Sequence, residues 1–275
     1  MKALVKIGGT LLDTPESRQR LAAESTEVSR QGHRLVVVHG GGKQMTRFLE
    51  ERGVESRFVN GLRVTTPQIL DAVLKVFAGT VNHELVSALV AAGCPAVGLT
   101  GIDASLTEAE QMDPALGAVG RLVQTNPRLL EVLIEGGFLP VVACVAGDRR
   151  GNIYNVNADQ MAAGCAVAYG ARALIFLTDV AGVLDAGKRV LPELTLSQAD
   201  DMISEGVATG GMQAKLIAAK EALQAGVAEV IIAAGKVPGA IGRIISGQGE
   251  GTRLIRSAAT GSVAPAGAGA GLSEK

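Results

Sequence analysis

The sequence predicts an α/β protein in which parallel strands are covered by helices on both faces. Apolar runs of strand length recur at 3–7, 35–38, 96–99, 139–143, 173–177 and 229–233, with stretches of helical length between them. Hydrophobic residues make up 47% of the chain, yet aromatics only 3% and tryptophan none. A core built from Val, Leu, Ile and Ala suits strands buried on both faces. At 275 residues there is material for one large domain or two lobes.

Taken in order, the first run ends in Gly8-Gly9 and is followed by a helix at 15–30 that Gly32 closes. The run 35–38 enters His39-Gly40-Gly41-Gly42-Lys43, and a helix at 43–51 stops at Gly53. This strand–helix–strand pattern implies a parallel pair with a right-handed crossover. Asn60-Gly61, between Phe58-Val59 and Arg63-Val64-Thr65, signals a tight hairpin. Two helices are predicted at 67–78 and 81–92, a strand at 96–99, and a hairpin around 117–120 in the weakly patterned stretch 104–125. A helix at 127–135 precedes the strand 139–143, and residues 153–159 lead into a helix ending near Gly170. The strand 173–177, helices at 197–205 and 212–225, the strand 229–233 and an edge strand within 249–255 complete the pattern. A lobe boundary falls near 165–172 without a linker, so both lobes are expected to share one sheet. Residues 257–275 are Ala, Gly, Ser and Pro with little apolar bulk and read as a disordered tail.

The net charge is −1, which gives no basis for a nucleic-acid or anionic-membrane partner. Cys94, Cys144 and Cys165 are isolated, so neither a Cys-x-x-Cys metal site nor a disulfide framework is indicated, and a reducing cytosol is the default. The first residues enter a strand directly, without a signal-peptide pattern, and no apolar run reaches the roughly 20 residues needed to span a bilayer. The expectation is a soluble cytoplasmic protein.

Lys6 interrupts a run that wants burial, and the bare backbone of Gly8-Gly9 follows it at once. Paired glycines let main-chain N–H groups approach a phosphate without a Cβ in the way. Gly41-Gly42 repeats the device after the second run, and Gly210-Gly211 with Lys215 one turn on repeats it again. None of these is a P-loop Gly-x-x-x-x-Gly-Lys-Ser/Thr, and no Gly-x-Gly-x-x-Gly follows the first strand. Asn155, Asn157 and Asp159 crowd a helix start. One of them can serve as the N-cap; three point to a site. Arg63 beside the Asn-Gly turn is either a carboxylate clamp or a surface hairpin arginine. His39 ends a buried strand and is expected to orient the glycine loop; His33 and His83 read as a loop residue and a structural helix residue.

Lys6-Ile7-Gly8-Gly9, His39 to Gly42, Asn60 to Thr65, Asn155 to Asp159, Leu177 to Leu184 and Gly210-Gly211-Met212-x-x-Lys215 occur in the order seen in the amino-acid kinase family. Over residues 2 to 256 the chain resembles that family, and within it the members acting on N-acetyl-L-glutamate. The resemblance implies a three-layer αβα sandwich with a mostly parallel central sheet, of the carbamate kinase-like kind. It implies an N-terminal lobe (1–168) for the acyl amino acid and a C-terminal lobe (169–256) for ATP. By position, Lys6 and Lys215 resemble the lysines that hold the transferring phosphoryl group, and Asp159 the residue that orients both. Gly8, Gly9, Gly41 and Gly211 look like phosphate donors, while Gly41, Gly42, Arg63, Asn155 and Asn157 look like substrate ligands. Thr178, Asp179, Val180, Gly182, Leu184, Gly210 and Met212 resemble the nucleotide site. Mg²⁺ is implied through the ATP phosphates rather than on a protein metal site. Arginine-inhibited members resemble one another in an extra helix before the first strand. That strand begins here at about residue 2, so the implied assembly is a homodimer without arginine feedback.

The implied reaction phosphorylates the side-chain carboxylate of N-acetyl-L-glutamate in arginine biosynthesis. Such an acceptor is already ionised at neutral pH and needs no general base. The nearest rival is the same chemistry on an N-acyl or carrier-linked 2-aminoadipate. A rival of another class is a nucleotide- or amino-acid-binding regulator that has lost catalysis.

Overall fold

The computed structural model describes residues 1–256, so the tail reading for 257–275 lies outside the described residues. Strand β1 (Lys2–Ile7) runs through a 3-10 turn (Gly9–Leu12) into α1 (Pro15–Arg30). Thr14 caps that helix by accepting from the Ser17 amide at 3.3 Å, and Pro15 occupies the first helical position. β2 (Arg34–His39) leads into α2 (Gly42–Glu50), and a hairpin of β3 (Phe58–Val59) and β4 (Leu62–Arg63) turns at Asn60-Gly61, where φ is 49° and 78°. Helix α3 (Pro67–Val73), a π-helical segment (Leu74–Val81) and α4 (Asn82–Ala91) then form one unbroken run. After β5 (Ala96–Thr100) come β6 (Thr107–Gln111), β7 (Val119–Thr125) and α5 (Arg128–Glu135). β8 (Leu139–Ala143), β9 (Val145–Gly147) and β10 (Ile153–Val156) precede α6 (Ala158–Tyr169). β11 (Ala173–Thr178), β12 (Glu193–Thr195), α7 (Leu196–Ser204), α8 (Gly210–Gln224), β13 (Glu229–Ala234), α9 (Ala240–Ile245) and β14 (Thr252–Ile255) finish the fold.

One eight-stranded sheet, in the order β12-β14-β13-β11-β1-β2-β8-β5, runs through both halves of the chain. Every pairing in it is parallel except β13 with β14. Helices α4, α1 and α9 pack along one face and α5, α6 and α8 along the other, giving the expected three layers. β1 is central, with Lys6 in register with Val38 on one side and Phe176 on the other. Strands β6, β7, β9 and β10 close a small barrel from which β10 delivers residues 155–159.

Three expectations need correction. The two helices at 67–78 and 81–92 are one continuous helical run, Pro67–Ala91, of 25 residues. Its mean hydropathy of 1.3 over the most apolar window makes it long and apolar enough to cross a membrane by composition. Here its apolar side, including Val73, Val76, Leu85 and Leu89, is buried in the core. The strand within 249–255 is not at the edge. β14 is flanked by β13 and by β12, a three-residue strand whose mixed burial gave no periodic signal. The hairpin in 104–125 pairs β6 with β7, and its connection includes a 3-10 turn (Pro114–Leu116) and Gly117 at φ 68°.

Candidate active site

The carboxyl ends of β1, β2 and β11 meet the N-termini of α2, α6 and α8, as open α/β sheets place their binding crevices. Asp159 lies in the first turn of α6, where the helix dipole favours a carboxylate. Asn157 sets that turn: its Oδ1 accepts from the amides of Asp159 at 2.9 Å and Gln160 at 3.2 Å. The Lys6 ammonium reaches Asp159 Oδ1 at 2.8 Å and Lys215 reaches Oδ2 at 3.3 Å. Lys215 also donates to the Gly211 carbonyl at 3.3 Å. The three side chains are only 8%, 6% and 14% exposed for Lys6, Asp159 and Lys215. Residues far apart in the chain thus form one buried cluster of two cations and one anion.

Burial acts to raise the Asp159 carboxyl, but the Lys6 and Lys215 ammoniums outweigh it and hold it below its ordinary value. For Lys215, burial is the larger influence. It lowers the ammonium pKa, Asp159 opposes, and Lys6 lowers it further. Asp179 also faces Lys215 with a favourable charge.

The glycine loops converge on this cluster. A Cβ at Gly9 would sit 3.0 Å from the Gly42 nitrogen, so the two loops touch backbone to backbone. Gln44 ties them by donating from Nε2 to the Gly9 carbonyl at 3.0 Å. The amides of Gly9 and Gly42, first residues of their helices, have no acceptor within them and remain available to an anion. Gly8 departs from the phosphate-donor expectation: its N–H donates to the Leu177 carbonyl at 3.0 Å and extends the sheet instead.

Arg63 is not a surface arginine. It is 8% exposed, stacks 4.6 Å from the Phe58 ring centroid, and donates to Thr46 Oγ1 at 2.8 Å, to the Gly42 carbonyl at 3.3 Å and to Ser56 Oγ. Asn155 Nδ2 donates to Thr65 Oγ1 at 3.0 Å, and that hydroxyl donates to the Arg63 carbonyl at 2.8 Å. Asn157 uses its oxygen as the helix cap, leaving only its amide nitrogen for a ligand. A cavity of about 650 Å³ opens beside the cluster, lined by Asn60, Leu62, Asn157, Asp159, Gly210 and Gly211.

The nucleotide expectations separate into two groups. Thr178 and Asp179, joined by a 3.1 Å hydrogen bond, lie at the end of β11, and Gly210 with Met212 opens α8. Val180, Gly182 and Leu184 belong to the loop beyond, where Gly182 makes room for packing: a Cβ there would lie 2.7 Å from Thr252 Oγ1. Gln44, Thr46 and Ser56 went unnoticed in the sequence, because isolated polar residues carry no spacing signal, and Thr65 stood there only as part of the hairpin motif without a role of its own.

An open α/β sheet bearing two touching glycine loops beside a two-lysine, one-carboxylate cluster is the framework of a phosphotransferase. The sequence model of the Amino acid kinase family matches residues 1–234, and the chain belongs to that family. It is 62% identical over 255 residues to an acetylglutamate kinase of Solibacter usitatus, covering 93% of this chain and 99% of that one. It is 43% identical over 234 residues to an acetylglutamate kinase of Geobacillus kaustophilus, covering 85% and 90%. Among solved structures, N-acetylglutamate synthase from Neisseria gonorrhoeae, complexed with coenzyme A and N-acetyl-glutamate, superposes with a TM-score of 0.83 at 25% identity. That match covers 94% of this chain and 60% of the synthase. Carbamate kinase from Giardia lamblia bound to AMP-PNP shares the fold, with a TM-score of 0.70 at 19% identity over 93% of this chain and 98% of that one.

Proposed function

We propose that this enzyme transfers the γ-phosphoryl group of ATP to the side-chain carboxylate of N-acetyl-L-glutamate, a step of arginine biosynthesis. The observation that carries the reading is the Lys6–Asp159–Lys215 cluster set between the glycine loops, in a chain 62% identical to an acetylglutamate kinase. A carboxylate oxygen attacks phosphorus, the bond to the ADP oxygen breaks, and no proton need be abstracted. The difficulty is repulsion between two anions and charge on the equatorial oxygens. Lys6, Lys215 and the Gly9 and Gly42 amides supply positive charge and hydrogen bonds where that charge develops. Asp159 acts as organiser: it holds both ammoniums in place before substrate arrives.

Arg63 and Asn155 are assigned to the acid's carboxylate end, with Gly41, Gly42 and Asn157, in a lobe formed by residues 1–168. ATP is assigned to the remainder, through Thr178, Asp179, Gly210, Gly211 and Met212. Among the described residues no group of three His, Cys, Asp or Glu side chains could hold a metal. Magnesium is assigned to the nucleotide phosphates, where it would neutralise β- and γ-oxygen charge. A homodimer is the proposed assembly. Among the described residues β5 ends the sheet with no strand beyond it, and Val90 stands exposed on α4, a surface that a second copy would cover. A cytoplasmic location fits the three buried, unpaired cysteines.

The test is incubation with ATP, Mg²⁺, hydroxylamine and each acid in turn, reading the acyl hydroxamate. Hydroxamate with N-acetyl-L-glutamate supports the proposal. Product only with a 2-aminoadipate derivative moves the substrate, and no product with any acid removes the kinase reading.

A further inference from the structure

The π-helical segment changes which side of its helix faces the core. Ahead of it and into its first turn the buried positions are Ile69, Ala72, Val73, Val76 and Phe77, a regular α-helical stripe. Continued at the same period, that stripe would take in Thr80, His83, Glu84 and Ser87, all of which are exposed. The buried positions are instead Val81, Asn82, Leu85 and Leu89. One extra residue in the turn has rotated the stripe by about 100° and driven a polar side chain, Asn82, into the core.

Asn82 is 2% exposed, and both its amide hydrogens are used. One goes to the Val141 carbonyl at 3.0 Å, the other to His39 Nε2 at 2.9 Å. A carbonyl can only accept, so the Val141 contact fixes which end of the amide is nitrogen. His39 Nε2 is therefore an acceptor, and the ring proton sits on Nδ1, which donates to the Gly40 carbonyl at 2.9 Å. Burial keeps the imidazole neutral, lowering its pKa to about 4. The same helical run presses on the next residue of the loop: a Cβ at Gly41 would lie 2.8 Å from the Phe77 ring and 3.2 Å from Val81. Gly98 on β5 leaves the space Asn82 occupies, since a Cβ there would fall 2.0 Å from Asn82 Oδ1.

We infer that Asn82 is a positioning residue for phosphoryl transfer: delivered by the π turn, it locks His39 as the Nδ1–H tautomer, and His39 then clamps Gly40 so that the Gly42 amide faces the reacting group. The inference rests on the proposed role of the Gly41-Gly42 loop. Neither Asn82 nor His39 touches substrate in this account. They fix the direction of a donor that does, and a misplacement of about 1 Å at such a donor can cost roughly 100-fold in rate.

Two variants approach the contact from opposite sides. Asn82→Leu removes the donor at similar volume, and Gly98→Ala displaces the Asn82 amide from outside the site. Each is expected to lower kcat by about 10- to 100-fold while the KM values for ATP and acid move far less. Ring ¹⁵N spectra of the unmodified protein should show His39 as neutral Nδ1–H between pH 6 and pH 8, and both variants should lose that pure tautomer. Folded variants with wild-type kcat overturn the inference, as does an Nε2–H tautomer in the unmodified protein. An unmodified protein that phosphorylates no acid defeats the proposed function instead, and the inferred role falls with it. The ring spectra then still report whether Asn82 locks His39.

Discussion

Replacing Asp159 with Asn keeps the side-chain volume and removes the charge that Lys6 and Lys215 share, at 2.8 Å and 3.3 Å. Breaking a buried ion pair from one side costs about 3–5 kcal/mol, because the surviving charge stays buried without a partner. Here Lys6 loses its carboxylate partner, and Lys215 keeps only the weaker favourable charge of Asp179 and the Gly211 carbonyl. A ceiling on the part due to Lys215 follows from proton loss: neutralising a lysine of ordinary pKa 10.5 at pH 7 costs about 5 kcal/mol, at about 1.4 kcal/mol per pH unit. Asp159→Asn should therefore lose about 3–5 kcal/mol at pH 7. The sign of the pH dependence is also set. Burial already lowers the Lys215 ammonium pKa, and without Asp159 the folded variant binds that proton still less tightly than the unfolded chain, so its stability rises with pH, by up to about 1.4 kcal/mol per unit. In the wild type the carboxyl is held below its ordinary value. Its contribution is complete at neutral pH and is lost only as the pH falls through that depressed pKa. The chain lacks tryptophan, so urea unfolding is followed by far-UV circular dichroism at pH 7, 8 and 9. A variant as stable as wild type at pH 7, or one whose stability falls with pH, refutes the reasoning.

Two further predictions concern turnover. On the alkaline side, kcat should fall with an apparent pKa below the usual lysine 10.5, because burial lowers Lys215 more than Asp159 raises it; a flat profile to pH 10.5 contradicts this. Gly9→Ala places a Cβ 3.0 Å from the Gly42 nitrogen, where backbone meets backbone and neither loop can yield cheaply. Its kcat should drop about 100-fold with the far-UV spectrum unchanged, and a variant within a few-fold of wild type would show that the loops have slack.

Much of this fold was legible because its strands are apolar on both faces and its helices end at glycines. β1, β2, β8, β11 and β13 are nearly wholly buried and so read as continuous runs. The break placed between 78 and 81 has a physical source: a π turn shifts the apolar phase by one residue, which a strict helical period reads as two helices. β12 and α9 are too short to show a period at all. At the site, Lys6 and Asp159 stood out because each violates its local pattern, a cation in a buried strand and a surplus carboxylate at a helix start. Gly8 shows the limit of that logic. A Gly-Gly pair advertises close backbone approach but not what approaches, and here Gly8 pairs with Leu177 while Gly9 meets the opposite loop. Asn82 was invisible for the opposite reason, since its partners are a histidine and a carbonyl distant in sequence.

The central claim is that Lys6 acts on the transferring phosphoryl group and not merely as a partner for Asp159. Lys6→Ala leaves Asp159 paired with Lys215, so the fold should persist while one charged donor to the transition state is gone. Steady-state kinetics of that variant with ATP and N-acetyl-L-glutamate test the claim most directly. The expected kcat is lower by about 10²- to 10³-fold with KM values little changed, and a kcat near that of the wild type would contradict this role for Lys6.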